Sequence, residues 1–469
     1  MGEVTELSAD ALSRRVARGE LSCVEVMAAY LDRIEEVNPK LNAIVSLRPR
    51  PELMAEAARA DDTPRAGWLH GMPIAIKDLA ETAGVRTTFG SPLFAEHVPA
   101  QDALVVARLK AAGVIVIGKT NTPEFGLGSH TTNPVFGPTA NPYDLGCTPG
   151  GSSGGAAAAL AARLLPVADG SDMMGSLRNP AAFCNVYGFR PSWGLVPGEP
   201  AGETFFHQLA TLGPMGRSPS DIAALLGVMQ GADPRLPYAV AADPEIGDLS
   251  GDMSGKRIAW LGDWGGAYPC EPGILELCEA GVSRFEALGC EVAHVAPPFE
   301  AEALWDAWVT LRAWATECRM KPVYDLPEKR ALLNDAMIWE VERGLSLSAQ
   351  DVHLASQTRS AWFRKLVALA QEYDAFALPS AQVWPFPKGW RYPEVINGRA
   401  MDTYHRWMEV VVPVSLIGVP SLAVPAGFGA AGLPMGFQLF GLRGQDRDIL
   451  RLGQAYHGMQ DWTRQAPVM

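Results

Sequence analysis

The 469-residue chain has no run of basic residues: 39 Lys and Arg stand against 52 Asp and Glu, a formal net charge of −13 at pH 7. The electrostatic footprint of a nucleic-acid-binding protein is therefore missing. Cysteine is scarce and unpatterned. The seven copies, at 23, 147, 184, 270, 278, 290 and 318, are odd in number and form no Cys-x-x-Cys or Cys/His spacing. Such usage excludes a disulfide framework or a cysteine-based metal site, suits a reducing compartment, and calls for neither metal nor cofactor. The opening Met-Gly-Glu-Val-Thr-Glu lacks the basic start and apolar stretch of a signal peptide, which makes the cytoplasm the default location. Low-complexity linkers and internal repeats are also missing. Residues 410–441 carry no charge, yet prolines 413, 420, 425 and 434 and several glycines interrupt them. No apolar helix of the ~20 residues that spanning requires fits there, so no membrane association is expected. Buried strands at 421–424 and 435–440 fit instead.

Elsewhere, apolar strand patterns alternate with helical ones. Ser22-Cys-Val-Glu25 is a capping box that opens a helix, ended near residue 36 by Asn38-Pro39. Strands are expected at 43–47, 73–76, 114–117 and 165–168, with helices at 102–112 and 153–163. A second alternation begins near Arg257, with strands at 257–261 and 291–295 around a helix at 273–288. Long helical patterns fill 300–373, and a strand at 375–378 returns to the sheet. This order predicts an α/β chain whose mixed central sheet is covered by helices on both faces.

The most informative stretch runs from Pro149 to Asn179. Ser152 and Ser176 each lie in a glycine-rich turn, Gly150-Gly-Ser-Ser-Gly-Gly155 and Gly175-Ser176, with an alanine-rich helix between them. Glycine permits positive φ and close approach, so such turns expose a hydroxyl and aim amide N–H groups at one point. Acyl transfer needs both an activated nucleophile and donors for an oxyanion. The base is less obvious, since none of the eight histidines lies in either turn. Lys77, at the end of the apolar run Met-Pro-Ile-Ala-Ile, serves only if burial lowers its pKa from about 10.4 by several units; most lysines at strand ends are solvated.

Two further matches are accidental. Residues 113–120 fit the Walker A pattern, but their middle is Val-Ile-Val-Ile, a strand rather than a phosphate loop. Gly151-Ser-Ser153-Gly-Gly155 fits Gly-x-Ser-x-Gly, yet residues 141–149 ahead of it read as loop and not as the strand a nucleophile elbow requires. That rival would be an α/β-hydrolase-type esterase with Ser153 as nucleophile and His405 or His457 as base.

Taken together, Gly71-Met-Pro-Ile-Ala-Ile-Lys77-Asp78, Gly150-Gly-Ser-Ser-Gly-Gly155 and Gly175-Ser176-Leu-Arg178 resemble the motifs of the amidase signature family. The 75- and 24-residue spacings of Lys77, Ser152 and Ser176 agree with it. Gly118-Lys-Thr-Asn121, Asn141-Pro-Tyr143, Gly418-Val-Pro-Ser-Leu-Ala-Val-Pro425 and Gly432-Leu-Pro-Met-Gly436 extend the likeness over nearly the whole chain. The resemblance implies one domain over 1–469, with the signature core at 65–200 and a variable helical region near 257–400 that shapes the substrate pocket. It implies Ser176 as nucleophile, Ser152 after a cis peptide bond as proton relay, and neutral Lys77 as base. The oxyanion hole would be the N–H groups of Met173, Met174, Gly175 and Ser176, with Ser153, Asp172 and Arg178 in support.

Met174 departs from the family, which commonly has glycine there; the methionine either strains the turn or adds an apolar wall. Ten of the 13 tryptophans fall between 260 and 407. Trp305 and Trp308, three apart on one expected helix, fit a buried face or an aromatic wall of the pocket. Ser129 and Thr131, just ahead of the signature, are further candidate pocket residues. The expected activity is hydrolysis of the C–N bond of a small amide or carbamate, with anilides, urethanes and nylon-type oligomers as variants. The amidase component of a tRNA-dependent amidotransferase is a third reading, although those members usually carry Gln where Asn179 stands. An inactive binding protein on the same scaffold is a fourth. A homodimer is left open.

Overall fold

Thirteen strands, most of them short, organise the described residues. The computed structural model describes residues 2–469. Three strands form a small sheet: β1 (Ile44–Val45), β2 (Pro73–Lys77) and β3 (Ile115–Thr120), in the order β1-β3-β2. β2 runs parallel to β3, and β1 antiparallel to it. The Walker-like residues thus lie in and beside β3. A larger sheet contains β4 (Ala168–Asp172), β5 (Tyr187–Arg190), β6 (Thr211–Gly216), β7 (Arg257–Trp260), β8 (Glu291–His294) and β9 (Ala375–Pro379). After a small hairpin, β10 (Val395–Ile396) with β11 (Arg399–Ala400), it is completed by β12 (Ser421–Phe428) and β13 (Pro434–Phe440). The order is β4-β6-β5-β12-β13-β9-β7-β8, antiparallel up to β9 and parallel beyond it. The fold is a single α/β domain with a large mixed sheet flanked by helices. The small sheet is an addition to the single central sheet the patterns suggested.

The uncharged stretch 410–441 becomes a short helix, Val412–Ile417, followed by β12 and β13 in the middle of the large sheet. Its lack of charge reflects burial on both faces. Among the described residues no helix is long and apolar enough to cross a membrane.

Two boundaries depart from expectation for local reasons. The capping box forms, with Ser22 Oγ accepting from the Glu25 N–H at 3.1 Å and Glu25 Oε2 from the Ser22 N–H at 2.8 Å. The helix it opens, Cys23–Leu41, runs past Pro39. Its last turn is held by the Asn38 side chain, which accepts from the N–H groups of Ala43 and Ile44 at 3.0 and 2.9 Å. The strand expected at 165–168 begins instead at Ala168, after Pro166, and consists of Ala-Asp-Gly-Ser-Asp. Polar residues enter a buried strand here because each finds a partner: Asp169 the Lys77 N–H and Ser171 the Lys77 amine on β2, and Asp172 the guanidiniums of Arg178 and of Arg190 on β5.

The helix Gly154–Ala161 is wholly buried. Its glycine start allows contact with the β3 exit: a Cβ on Gly155 would lie 2.4 Å from Asn121 N and 2.6 Å from the Ala43 carbonyl oxygen. Both obstacles are backbone, so Gly155→Ala is expected to cost about 1–3 kcal/mol, read as a lower unfolding midpoint. Gly458→Ala, in the last turn of the helix Asp446–Met459 with open space around it, is the matched control and is expected to be neutral or stabilising by up to about 1 kcal/mol.

Candidate active site

The end of β2 delivers Lys77 into the protein, where only 1% of it is exposed. Its Nζ lies 2.8 Å from Ser152 Oγ, 2.9 Å from Ser153 Oγ and 2.9 Å from Ser171 Oγ. Among the described residues no carboxylate touches the amine; Asp169 accepts the Lys77 backbone N–H instead, at 2.9 Å. Burial therefore dominates and pulls the Lys77 pKa down to about 7, with Asp169 and Asp172 opposing from a distance. A neutral amine has two N–H groups and one lone pair, so three hydroxyls satisfy it with one of them donating. Ser171 was not expected at this site; it belongs to the strand that begins later than its apolar pattern suggests.

Ser152 follows a cis peptide bond, Gly151–Ser152, as the resemblance implied. Ser129 and Thr131 brace that turn: the Ser129 hydroxyl donates to the Gly151 carbonyl and the Thr131 hydroxyl to the Gly150 carbonyl, the latter at 2.7 Å. The turn of Ser176 is tied to that of Ser152 through the Ser153 N–H, which donates to the Ser176 carbonyl at 3.1 Å.

Asp172 organises the Ser176 turn. It accepts the Gly175 and Leu177 N–H groups at 2.9 and 3.2 Å and pairs with Arg178 at 3.0 Å and Arg190 at 3.1 Å, all buried. Burial alone would raise its pKa, but the two guanidiniums hold it well below the usual carboxylate range. Arg178 reaches on to Gln438 Oε1 and Ser415 Oγ, at 2.5 and 2.6 Å. The Gly175 N–H is thus engaged, and the expected donor set loses one member. The N–H groups of Met173, Met174 and Ser176 have no acceptor among the described residues.

The Met174 question has a geometric answer. The left-handed conformation falls on Gly175, at φ +79°, while Met174 is not among the positive-φ residues and buries its side chain in the core. A Cβ on Gly175 would lie 1.8 Å from Asn179 Oδ1, so glycine is needed there and not at 174. Asn179 is buried, with neither side-chain polar atom hydrogen-bonded among the described residues.

Ser152, Ser171, Met173, Met174 and Ser176 share one cavity of about 100 Å³, closed by Leu79, residues 125–128, Met408 and the helix Ala301–Tyr324. That helix turns Arg312, Thr316 and Arg319 toward the cavity. Trp305 and Trp308 do not line it. Trp305 packs between His405, 4.9 Å between ring centres, and the Arg406 guanidinium at 4.7 Å, and Trp308 is fully buried. Ser129 and Thr131 do not line it either, because their hydroxyls are spent on the Ser152 turn. Ser153 is fully buried behind Ser152, and among the described residues no bond joins it to His405 or His457. His405 sits in an aromatic cage, and His457 meets the Tyr187 hydroxyl at 3.2 Å.

The sequence matches the family model described as Amidase over residues 25–450. The chain belongs to the amidase signature family. An acylamidase of Rhodococcus erythropolis is 33% identical, the alignment covering 98% of this chain and 97% of that protein. A glutamyl-tRNA(Gln) amidotransferase subunit of Thermus thermophilus is 36% identical, with 94% and 95% covered. A bacterial aryl acylamidase of known structure superposes with a TM-score of 0.90 at 29% identity, covering 98% of this chain and 97% of that one. This amidase is accordingly a hydrolase of C–N amide bonds.

The buried cluster makes one stability prediction. Asp172→Ala leaves Arg178 and Arg190 without their carboxylate, and we expect a loss of about 3–5 kcal/mol in denaturant unfolding. A loss under about 1 kcal/mol would mean that solvent or another group compensates.

Proposed function

We propose that this amidase is a free-standing hydrolase of small carboxylic amides, anilides or carbamates that works through an acyl-enzyme on Ser176. The observation that carries the reading is the buried Lys77 amine in contact with Ser152 at 2.8 Å, its pKa pulled down by burial to about 7 so that the neutral form is accessible at neutral pH. Ser176 Oγ attacks the carbonyl carbon, its proton passes to Ser152 Oγ, and the Ser152 proton passes to Lys77 Nζ. The carbonyl oxygen becomes an oxyanion, for which the unpaired N–H groups of Met173, Met174 and Ser176 are the candidate donors. Collapse breaks the C–N bond, and the proton returns by the same route to the leaving amine. Water then attacks the ester, losing its proton along the relay, and releases the acid.

The sign of the pH dependence follows from Lys77. Protonated, the amine accepts no proton; kcat/KM should therefore fall about tenfold per pH unit below about pH 7 and level off above it. A profile flat from roughly pH 5 to 9, with chemistry rate-limiting, removes Lys77 as the base. A fluorophosphonate should add to Ser176 alone, with the adduct absent in Ser176→Ala and formed about 10²–10⁴-fold more slowly in Ser152→Ala and Lys77→Ala. An adduct on Ser153 would transfer the role to the esterase reading.

A second reading draws on the similarity to the Thermus thermophilus protein, and makes this chain a glutaminase that acts within a tRNA-dependent amidotransferase. The Met173-Met174 pair and Asn179 argue against it. Turnover of simple anilides by the isolated chain supports the free-standing enzyme; ammonia release from glutamine, only with a partner present, supports the amidotransferase component.

A further inference from the structure

The solvent-exposed rim of the cavity carries a charge that the proposed relay leaves unused. Arg312, Thr316 and Arg319, four and three residues apart, stack on one face of the helix Ala301–Tyr324. The Arg312 charge is met: its Nε donates to Glu340 at 2.5 Å and its Nη2 to the Tyr404 hydroxyl at 2.8 Å. Arg319 is solvent-exposed, and no group among the described residues meets its charge. Among the described residues its guanidinium makes no hydrogen bond and no ion pair. No aspartate or glutamate among the described residues lines this cavity, although the chain as a whole is strongly acidic.

Leu79, Ser171 and Ala210 also border a second chamber of about 470 Å³, walled in part by Phe89, Trp193 and Tyr238. Its acids are already engaged. Glu203 accepts from the N–H groups of Phe205 and Phe206 at 2.6 and 2.9 Å, Glu81 meets His97 at 3.2 Å, and Glu199 accepts the Leu104 N–H. The two spaces together offer an apolar chamber and, at the cavity's solvent side, a cation that no acid among the described residues meets. A guanidinium at a cavity's rim with no protein acid beside it pairs best with a carboxylate, which takes two parallel N–H bonds from it.

We propose that the preferred substrate is an amide that also carries a carboxylate, with the carboxylate held by Arg319 and an apolar group in the Phe89–Trp193–Tyr238 chamber. A half-amide of a dicarboxylic acid and an N-acylated amino acid or aminobenzoate are the two ways of building such a molecule. The inference rests on the reading of Ser176 as the acylated residue.

Two matched pairs test it: succinyl- against butyryl-4-nitroanilide for a carboxylate on the acyl side, and 4-acetamidobenzoate against acetanilide for one on the amine side. The wild type should favour one acid over its neutral partner by about 10–100-fold in kcat/KM, the worth of one charge-assisted bond, chiefly through KM. Arg319→Ala should bring that ratio toward unity, and Arg319→Lys should restore part of it. Equal or better turnover of both neutral partners by the wild type overturns the proposal, as does an Arg319→Ala effect that is the same for acid and neutral amide. Calorimetric binding of each acid to Ser176→Ala gives a readout without turnover. One acid should bind, and adding Arg319→Ala should weaken it about 10–100-fold; no binding of either acid also overturns the proposal. Neutral anilides cleaved by wild type but not by Ser176→Ala, without charge preference, would sink this inference alone. Cleavage that survives Ser176→Ala would sink the catalytic reading instead.

Discussion

The Asp172 carboxylate, buried between Arg178 and Arg190, is the constraint on which the rest of the site depends. A buried charge without partners is prohibitively costly, so the three residues must be brought together or the chain cannot close. Meeting that demand joins the end of β4 to β5 and, through the Arg178 bonds to Gln438 and Ser415, to β13 and the helix ahead of β12. The same carboxylate takes the N–H groups of Gly175 and Leu177 on either side of Ser176. The position of the Ser176 turn is therefore a by-product of charge satisfaction deep in the sheet.

Lys77 illustrates the opposite treatment of a buried charge. Its neighbours are three hydroxyls rather than an acid, and the buried acid near it, Asp169, is occupied by backbone. The cheapest state of such a lysine is the neutral one. Two ionisable residues in one core thus end at opposite extremes, Asp172 held charged by two guanidiniums and Lys77 pushed toward neutrality by the lack of any adjoining acid. Arg319 differs from both: it is a solvent-exposed cation on the rim of the same space, and no acid among the described residues pairs with it.

Much of this was readable beforehand where local rules and global needs agreed. The capping box at Ser22, the strands around Ile74, Val116 and Phe437, and the alanine-rich helix after Ser153 all lie close to where periodicity put them. Disagreement came where a tertiary partner overrode a local cue. Pro39 is tolerated because Asn38 staples the helix end to β1. Asp169, Ser171 and Asp172 form a buried strand because their partners wait on β2 and β5. Trp305 and Trp308 obey the ordinary rule for an apolar helical stripe and sit in the core, while the cavity receives the polar face of the same helix.

The sequence by itself determined the reaction chemistry available to this amidase: two serines in glycine-rich turns, a lysine after an apolar strand, and no histidine beside them. It also determined that residues 410–441 form core rather than a membrane span, since prolines and glycines break that uncharged run. The need for glycine at 175 and not at 174 emerged only from the folded turn. Only the tertiary structure decided which hydroxyls surround the lysine, which N–H groups stay unpaired, and which residues face the cavity. Those are relations between segments up to about 260 residues apart, such as Arg178 and Gln438. Local pattern carries no information about them, because they are settled by which polar groups must be satisfied once water has been excluded.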